Sequence, residues 1–219
     1  SRGHPVCIHY FRSGDDAESL AEQIGEQGGR VVTVQADLTQ SEEAAQRIMS
    51  ACLSLGTPTA LINNAAAFRP ESLAETTAES FDTTLATNVK TPLVLSREFA
   101  KIATVGQIIN IADWRGLHPI PGHLTYTLSK AALIAMTQLL AQELAPNIRV
   151  NAIAPGALLP ASHGLDQGID LAARNPLRRP GGTEAVVNAV DYLMKASFVT
   201  GEILRVTGGE ELAIQRGHE

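Results

Sequence analysis

The stretch Gly106–Ala141, GQIINIADWRGLHPIPGHLTYTLSKAALIAMTQLLA, carries the decision about the fold. Gln107–Ile111 is a short β-rich apolar run. Asp113 follows it, then a Gly/Pro-rich loop, then a helical pattern from about Thr125 that opens with Tyr126 and Lys130. Residues four apart on a helix lie one above the other on a single face, so this pair presents a phenol and an ammonium to a common point. A phenol with a pKa of about 10 is a poor acid–base catalyst at neutral pH. A neighbouring cation favours the phenolate and draws the group toward the useful range.

Outward from that core, strand and helix alternate. Val6–Tyr10 reads as a strand, and Asp15 to about Glu26 as a helix stopped by Gly28 and Gly29. Val31–Gln35 is the second strand. Thr39-Gln40-Ser41-Glu42 has the form of a capping box opening a helix to about Leu55. Thr59–Asn63 is the next strand, followed by helical patterns over Ala78–Asn88 and Thr91–Ala103, with Pro92 tolerable in a first turn. Beyond the central stretch come a strand at Ile148–Ile153, a Gly/Pro/Arg-rich loop over Pro155–Gly182, a helix from Thr183 to Lys195 and a strand at Glu202–Val206. This alternation specifies an α/β protein, a doubly wound parallel sheet with helices on both faces. No repeat, low-complexity run or linker divides 1–219, so a single domain is expected.

At 219 residues and 44% hydrophobic, the chain is long enough for one sizeable core. A net charge of −6, from 17 Lys+Arg against 23 Asp+Glu, argues against a nucleic-acid surface. Apolar runs stop short of the ~20 residues of a membrane helix, and the N-terminus lacks a signal-peptide pattern. Cys7 and Cys52 have no metal-ligand spacing and read as buried thiols, and a cytoplasmic location is expected. No metal site is expected: His118 and His123 have no Cys or carboxylate at ligand spacing.

In open α/β sheets, ligands bind beyond the carboxyl ends of the strands. That rule selects Phe11-Arg12-Ser13, Asp37-Leu38, Asn64–Phe68, Asp113, Pro155–Leu158 and Thr207–Glu210, and it brings Tyr126 and Lys130 to the same edge.

These features together resemble the short-chain dehydrogenase/reductase family over nearly the whole chain. Asn63-Asn64-Ala65-Ala66 resembles its Asn-Asn-Ala-Gly, Asn88 its structural-catalytic asparagine, and Tyr126-Thr-Leu-Ser-Lys130 its Tyr-x-x-x-Lys. Asn151–Gly156 and Thr200–Gly209 resemble two further family segments, with Thr207 where Asp is usual. The catalytic serine is replaced. Asn110-Ile111-Ala112-Asp113 puts an Asp thirteen residues before the Tyr, as in the pteridine reductase and dihydromonapterin reductase branch. His9–Ser13 resembles that branch's His-Tyr-x-Arg-Ser, and Phe68 stands where it stacks a pterin ring.

The resemblance implies an NADPH-dependent reductase of a pterin-type substrate. Its catalytic residues would be Asp113, Tyr126, Lys130 and Asn88, with Phe68, Asp113 and Tyr126 at the substrate. Cofactor contacts would come from Phe11, Arg12, Ser13, Asp37, Leu38, Asn64, Ala65, Ala66, Pro155, Gly156 and Ala157, besides Tyr126 and Lys130. Lys130 would lower the Tyr126 pKa and hold the nicotinamide ribose, while Asn88 would support Lys130 through a water. An NAD site usually ends its second strand in Asp or Glu, whereas an Arg there suits a 2′-phosphate. Arg12 and Ser13 occupy that end, which selects NADP(H). Asp15 and Asp16 read as the cap and first turn of the following helix.

On the same resemblance, Val6–Tyr10 corresponds to the family's second strand. A first strand and a Thr-Gly-x-x-x-Gly-x-Gly loop, about 30 residues of such a unit, are not in the sequence, which points to an N-terminally incomplete domain with two unpaired strand edges. Two alternatives stay open: a reductase of an ordinary ketone or hydroxy compound, and a non-catalytic sensor on the same fold. The Arg174, Arg178 and Arg179 loop can meet a phosphate, an acidic substrate or solvent; Trp114 can wall the pocket or pack beneath the loop. The helix from Thr125 is apolar on most faces, which implies a homo-dimer or homo-tetramer.

Overall fold

A computed structural model describes residues 3–159 and 170–214 of the chain. Six parallel strands alternate with helices: β1 (Val6–Tyr10), α1 (Gly14–Glu26), β2 (Val31–Gln35), α2 (Ser41–Leu53), β3 (Ala60–Asn63), α3 (Ala78–Leu85), α4 (Thr91–Ile102), β4 (Gly106–Ile111), α5 (Leu124–Glu143), β5 (Ile148–Pro155), α6 (Gly182–Lys195), β6 (Ile203–Val206) and α7 (Glu210–Ile214). This is the doubly wound α/β class. Within the Pro155–Gly182 loop reading, 160–169 lie outside the described residues.

The strands form two sheets, which leaves the two unpaired strand edges that were expected. β1 pairs with β2, Val6 opposite Val31, and β3-β4-β5-β6 form the other in that order. Among the described residues no strand lies between β1 and β3, and both leave apolar side chains open: Val6 is 38% exposed and Ile62 44%. One core spans both sheets. Ala36 and Leu38 after β2, Ile48 and Met49 of α2, Leu95 and Phe99 of α4, Ile108 of β4 and Val150 of β5 belong to one buried cluster. Phe99 is fully buried there, and truncating such a ring costs roughly 3–5 kcal/mol.

Three local details differ from the sequence reading. The capping box at Thr39 does not form. Asp37 Oδ1 accepts from both the Thr39 amide and hydroxyl, at 2.9 and 2.8 Å, and α2 starts at Ser41. A capping box is present instead at Thr77 and Ser80, before α3. Ser13, not Asp15, occupies the N-cap of α1, with Asp15 and Asp16 in its first turn. Cys7 and Cys52 are half-buried rather than buried. Each thiol is the other's hydrogen-bond neighbour, which raises the pKa of Cys7 and lowers that of Cys52.

Between α3 and α4 the chain widens into a π turn, Ala86–Lys90, with Asn88 fully buried on it. Such π bulges occur mostly as single turns and often at functional sites.

Candidate active site

The carboxyl end of β4 leads through Asp113 into a 3-10 turn, Trp114–Gly116. Asp113 caps that turn: its Oδ1 accepts the Arg115 amide at 2.7 Å. A Cβ on Gly116 would lie 2.8 Å from the Lys130 carbonyl carbon and 2.9 Å from the Ala131 nitrogen. Only glycine lets the turn press against the α5 backbone there, and that contact brings Asp113 to the face of α5 that carries Tyr126.

Tyr126 and Lys130 sit one turn apart on α5, both buried. The Tyr126 hydroxyl donates to Asp113 Oδ2 at 2.9 Å. The Lys130 ammonium lies 5.5 Å from the centre of the Tyr126 ring and donates to the Ile111 carbonyl at 2.6 Å. The expectation that Lys130 lowers the Tyr126 pKa is therefore corrected. Burial first, and then the charge and hydrogen bond of Asp113, push the phenol up, opposed by Arg115. Burial also draws Lys130 down from 10.5 to about 8, with Asp113 resisting. Tyr126 is thus held as a neutral phenol aimed at a carboxylate.

Asn88 is buried on its π turn and hydrogen-bonds to the loop that follows β3. Its amide closes a two-way bond with the Ala67 backbone, accepting from the amide at 2.7 Å and donating to the carbonyl at 2.9 Å. It also donates to Ser129 Oγ at 2.9 Å. Asn88 therefore fixes the loop that follows β3. Phe68, next on that loop, is 49% exposed and sets its ring edge-on to Tyr126 at 4.7 Å. Asn64, Ala65 and Ala66 lie exposed on the same loop.

Among the described residues, two of the cavities along this edge are lined by neither Tyr126 nor Asp113. One of about 210 Å³ is bounded by Phe11, Gln35, Asp37 and Arg47. Arg12 lies over the Phe11 ring at 5.0 Å, and Gln35 donates to the Phe11 carbonyl at 3.1 Å. Ser13 is exposed beside them. Among the described residues Arg47 is the one guanidinium in that lining, 3.8 Å from Glu43, with Arg12 next to it on Phe11; an arginine can grip a phosphate through paired hydrogen bonds. Leu38 fits the cofactor expectation less well: its side chain is in the core and its carbonyl accepts the Thr91 hydroxyl.

The second cavity, about 560 Å³, lies beyond β5 and β6 and is lined in part by Ala157, Asn175, Arg179 and Thr207. Pro155 ends β5, and the Gly156 amide donates to Val206. The Ala157 amide donates to buried Glu210 Oε2 at 2.7 Å, and Arg174 meets Glu210 Oε1 at 2.9 Å. Arg174 thereby ties the loop to α7. Trp114 is buried beneath its loop, with the Arg115 guanidinium 5.6 Å from its ring.

Sequence reasoning missed Arg115, Ser129 and Glu71, and it named His123 without its stacking partner. Arg115 is buried, with Nη1 3.7 Å from Asp113 Oδ2. Its signal was an arginine two residues beyond a strand-end carboxylate. His123 stacks on Phe68 at 4.7 Å and 18°, and nothing in residues so far apart along the chain announces that contact.

Fold and site define the short-chain dehydrogenase/reductase class of oxidoreductases. Residues 1–211 match the family model described as enoyl-(acyl carrier protein) reductase, and the chain belongs to that family. The NADP complex of FolM alternative dihydrofolate reductase 1 from Brucella suis superposes with a TM-score of 0.82 at 34% identity, covering 96% of this chain and 86% of that one. Acetoin dehydrogenase from Enterobacter cloacae gives 0.90 at 27% identity, covering 100% and 90%. A 3-oxoacyl-[acyl-carrier-protein] reductase, FabG, from Staphylococcus epidermidis is 29% identical over 222 residues, 94% of this chain and 88% of its own length. Among the described residues no helix is long and apolar enough to cross a membrane.

Proposed function

We propose that this protein is an NADPH-dependent reductase of a pterin-type substrate. The observation that carries the reading is the 2.9 Å bond from Tyr126 to Asp113, beside the half-open Phe68 ring. A hydroxyl in place of Asp113 would serve a simple carbonyl. A carboxylate offers two acceptor oxygens to a ring rich in N–H groups, and Phe68 offers a flat face. The likeness to FolM dihydrofolate reductase adds support, as does its bound NADP.

Bound NADPH supplies hydride to the carbon of an electron-poor C=N bond. The Tyr126 phenol, kept protonated by burial and Asp113, is the general acid that gives its proton to the nitrogen once hydride arrival makes that atom basic. Asp113 aims the hydroxyl and accepts from the substrate. Arg115 and the largely protonated Lys130 offset the charge of the phenolate, which regains a proton from solvent. Arg12, Ser13 and Arg47 would hold the cofactor's adenosine end and 2′-phosphate, and Lys130 would hold its nicotinamide ribose. Positioning of this kind is worth several kcal/mol in comparable sites.

The test is NADPH oxidation with dihydrobiopterin and dihydrofolate beside a panel of simple ketones. Pterins should turn over faster, Asp113→Ser should lower pterin reduction, and Tyr126→Phe should nearly abolish all turnover. If ketones win, or Asp113→Ser leaves pterin turnover unchanged, the pterin assignment is wrong. The second reading, a reductase of ketones or hydroxy compounds, then takes its place; the likeness to acetoin dehydrogenase and FabG favours it.

A further inference from the structure

The Phe68 loop is clamped at both ends. Asn88 holds the backbone of Ala67 on one side of the ring. On the other, the Glu71 amide donates to Gly122 at 3.0 Å and the Leu124 amide donates to the Glu71 carbonyl at 3.2 Å, forming an isolated parallel bridge between Glu71 and His123. The Glu71 side chain is buried. The bridge thus fastens the Phe68 loop to the start of the helix that carries Tyr126.

His123 completes this arrangement. It is 7% exposed and stacks face to face on Phe68, at 4.7 Å and 18°. A ring has two faces. Histidine covers one, Tyr126 abuts the ring at 83°, and about half of the Phe68 side chain stays open. We infer that His123 is a specificity-determining positioning residue: stacked behind Phe68 and bridged to Glu71, it holds that ring as the fixed wall against which a flat heteroaromatic substrate lies beside Tyr126. The inference rests on the pterin reading. A small aliphatic ketone has no flat face for this wall to recognise, so the stack matters to one substrate class and not the other.

Steady-state kinetics with NADPH on the purified protein separate the possibilities, with dihydrobiopterin and a small diketone as probes. His123→Ala should raise KM for dihydrobiopterin about two- to tenfold, the worth of one aromatic stack. Its kcat should stay within about twofold and its diketone KM unchanged, because the reacting groups themselves are untouched. His123→Phe, which restores a stacked ring, should return the pterin KM to the wild-type value. If His123→Ala proves unfolded, His123→Phe decides alone: a normal pterin KM supports the wall and a raised one overturns it. An unchanged pterin KM in His123→Ala, with a raised one in Phe68→Ala, would overturn the role of His123 while leaving the pterin reading intact. Wild-type protein that reduces the diketone and not the pterin would overturn both.

Discussion

The Tyr126 hydroxyl donates a 2.9 Å hydrogen bond to Asp113 Oδ2, so the phenol's proton rests against the Asp113 carboxyl rather than the Lys130 ammonium. Burial is the first cause of the raised Tyr126 pKa, and Asp113 is the next. Replacing Asp113 by Asn removes the charge and keeps the shape. The Tyr126 ionisation should then move to lower pH, followed by ultraviolet difference titration with Tyr126→Phe as the blank. A titration unmoved by Asp113→Asn would leave burial as the whole cause.

Arg12 lies on the Phe11 ring beside the cavity between the ends of β1 and β2. Arg12→Ala should weaken NADPH binding by about 1.5–3 kcal/mol, the worth of a hydrogen bond to a charged group, and leave NADH almost unaffected. Fluorescence titration of both cofactors checks this. Equal losses would show that Arg12 does not read the 2′-phosphate.

Much of the fold was legible because the strands are short β-branched runs closed by Gly, Asn or Asp. Val6–Tyr10 and Val31–Gln35 stand where the alternation placed them. Capping was less legible, since Asp37 and Thr39 compete for the same hydrogen bonds and periodicity does not decide between them. Asp113, Tyr126 and Lys130 were readable from spacing, because a strand end and one helix turn are local geometry. The contacts of Asn88 were not: a π turn shifts the helical phase, and its partners lie at Ala67 and Ser129. The same holds for the His123 stack, a product of tertiary packing alone.

Lys130 contributes a pH dependence with a definite sign. Its folded pKa is lowered from 10.5 to about 8. Below that value the buried ammonium carries its full desolvation cost. Between about pH 8 and about 10.4 the unfolded chain keeps a proton that the folded chain has released, so this group's contribution to stability rises with pH. The span corresponds to about 3 kcal/mol. Urea unfolding of wild type and Lys130→Met should therefore give a stability difference that shifts toward the wild type by about that amount across the window. A difference constant with pH would mean that Lys130 titrates alike in both states.

Assembly follows from the outer face of α5. Leu128 and Leu139 are 49% and 59% exposed there, and Leu93 of α4 is 45% exposed. We expect a homo-dimer or homo-tetramer through these helices, seen by light scattering, with Leu128→Glu and Leu139→Glu together shifting the mass toward monomer. A monomeric wild type would sink this expectation.

Asn88 offers the sharpest separation of scaffold from chemistry. Its side chain is fully buried and satisfies the Ala67 amide, the Ala67 carbonyl and Ser129 Oγ. Removing one partner of a buried hydrogen bond costs about 1–3 kcal/mol, since the group left behind stays desolvated. Asn88→Ala orphans several such groups and should lower stability by roughly 2–5 kcal/mol. Asn88→Asp keeps the acceptor for the Ala67 amide, but faces the Ala67 carbonyl with an oxygen in place of a donor. It should be no more stable than the alanine variant near neutral pH and recover as the pH falls and the carboxyl gains a proton to donate. Thermal melts across pH check the order. If Asn88 acts chiefly on Lys130, both variants should melt close to wild type and lose turnover alone; a clamp on the Phe68 loop instead requires that stability and pterin KM worsen together.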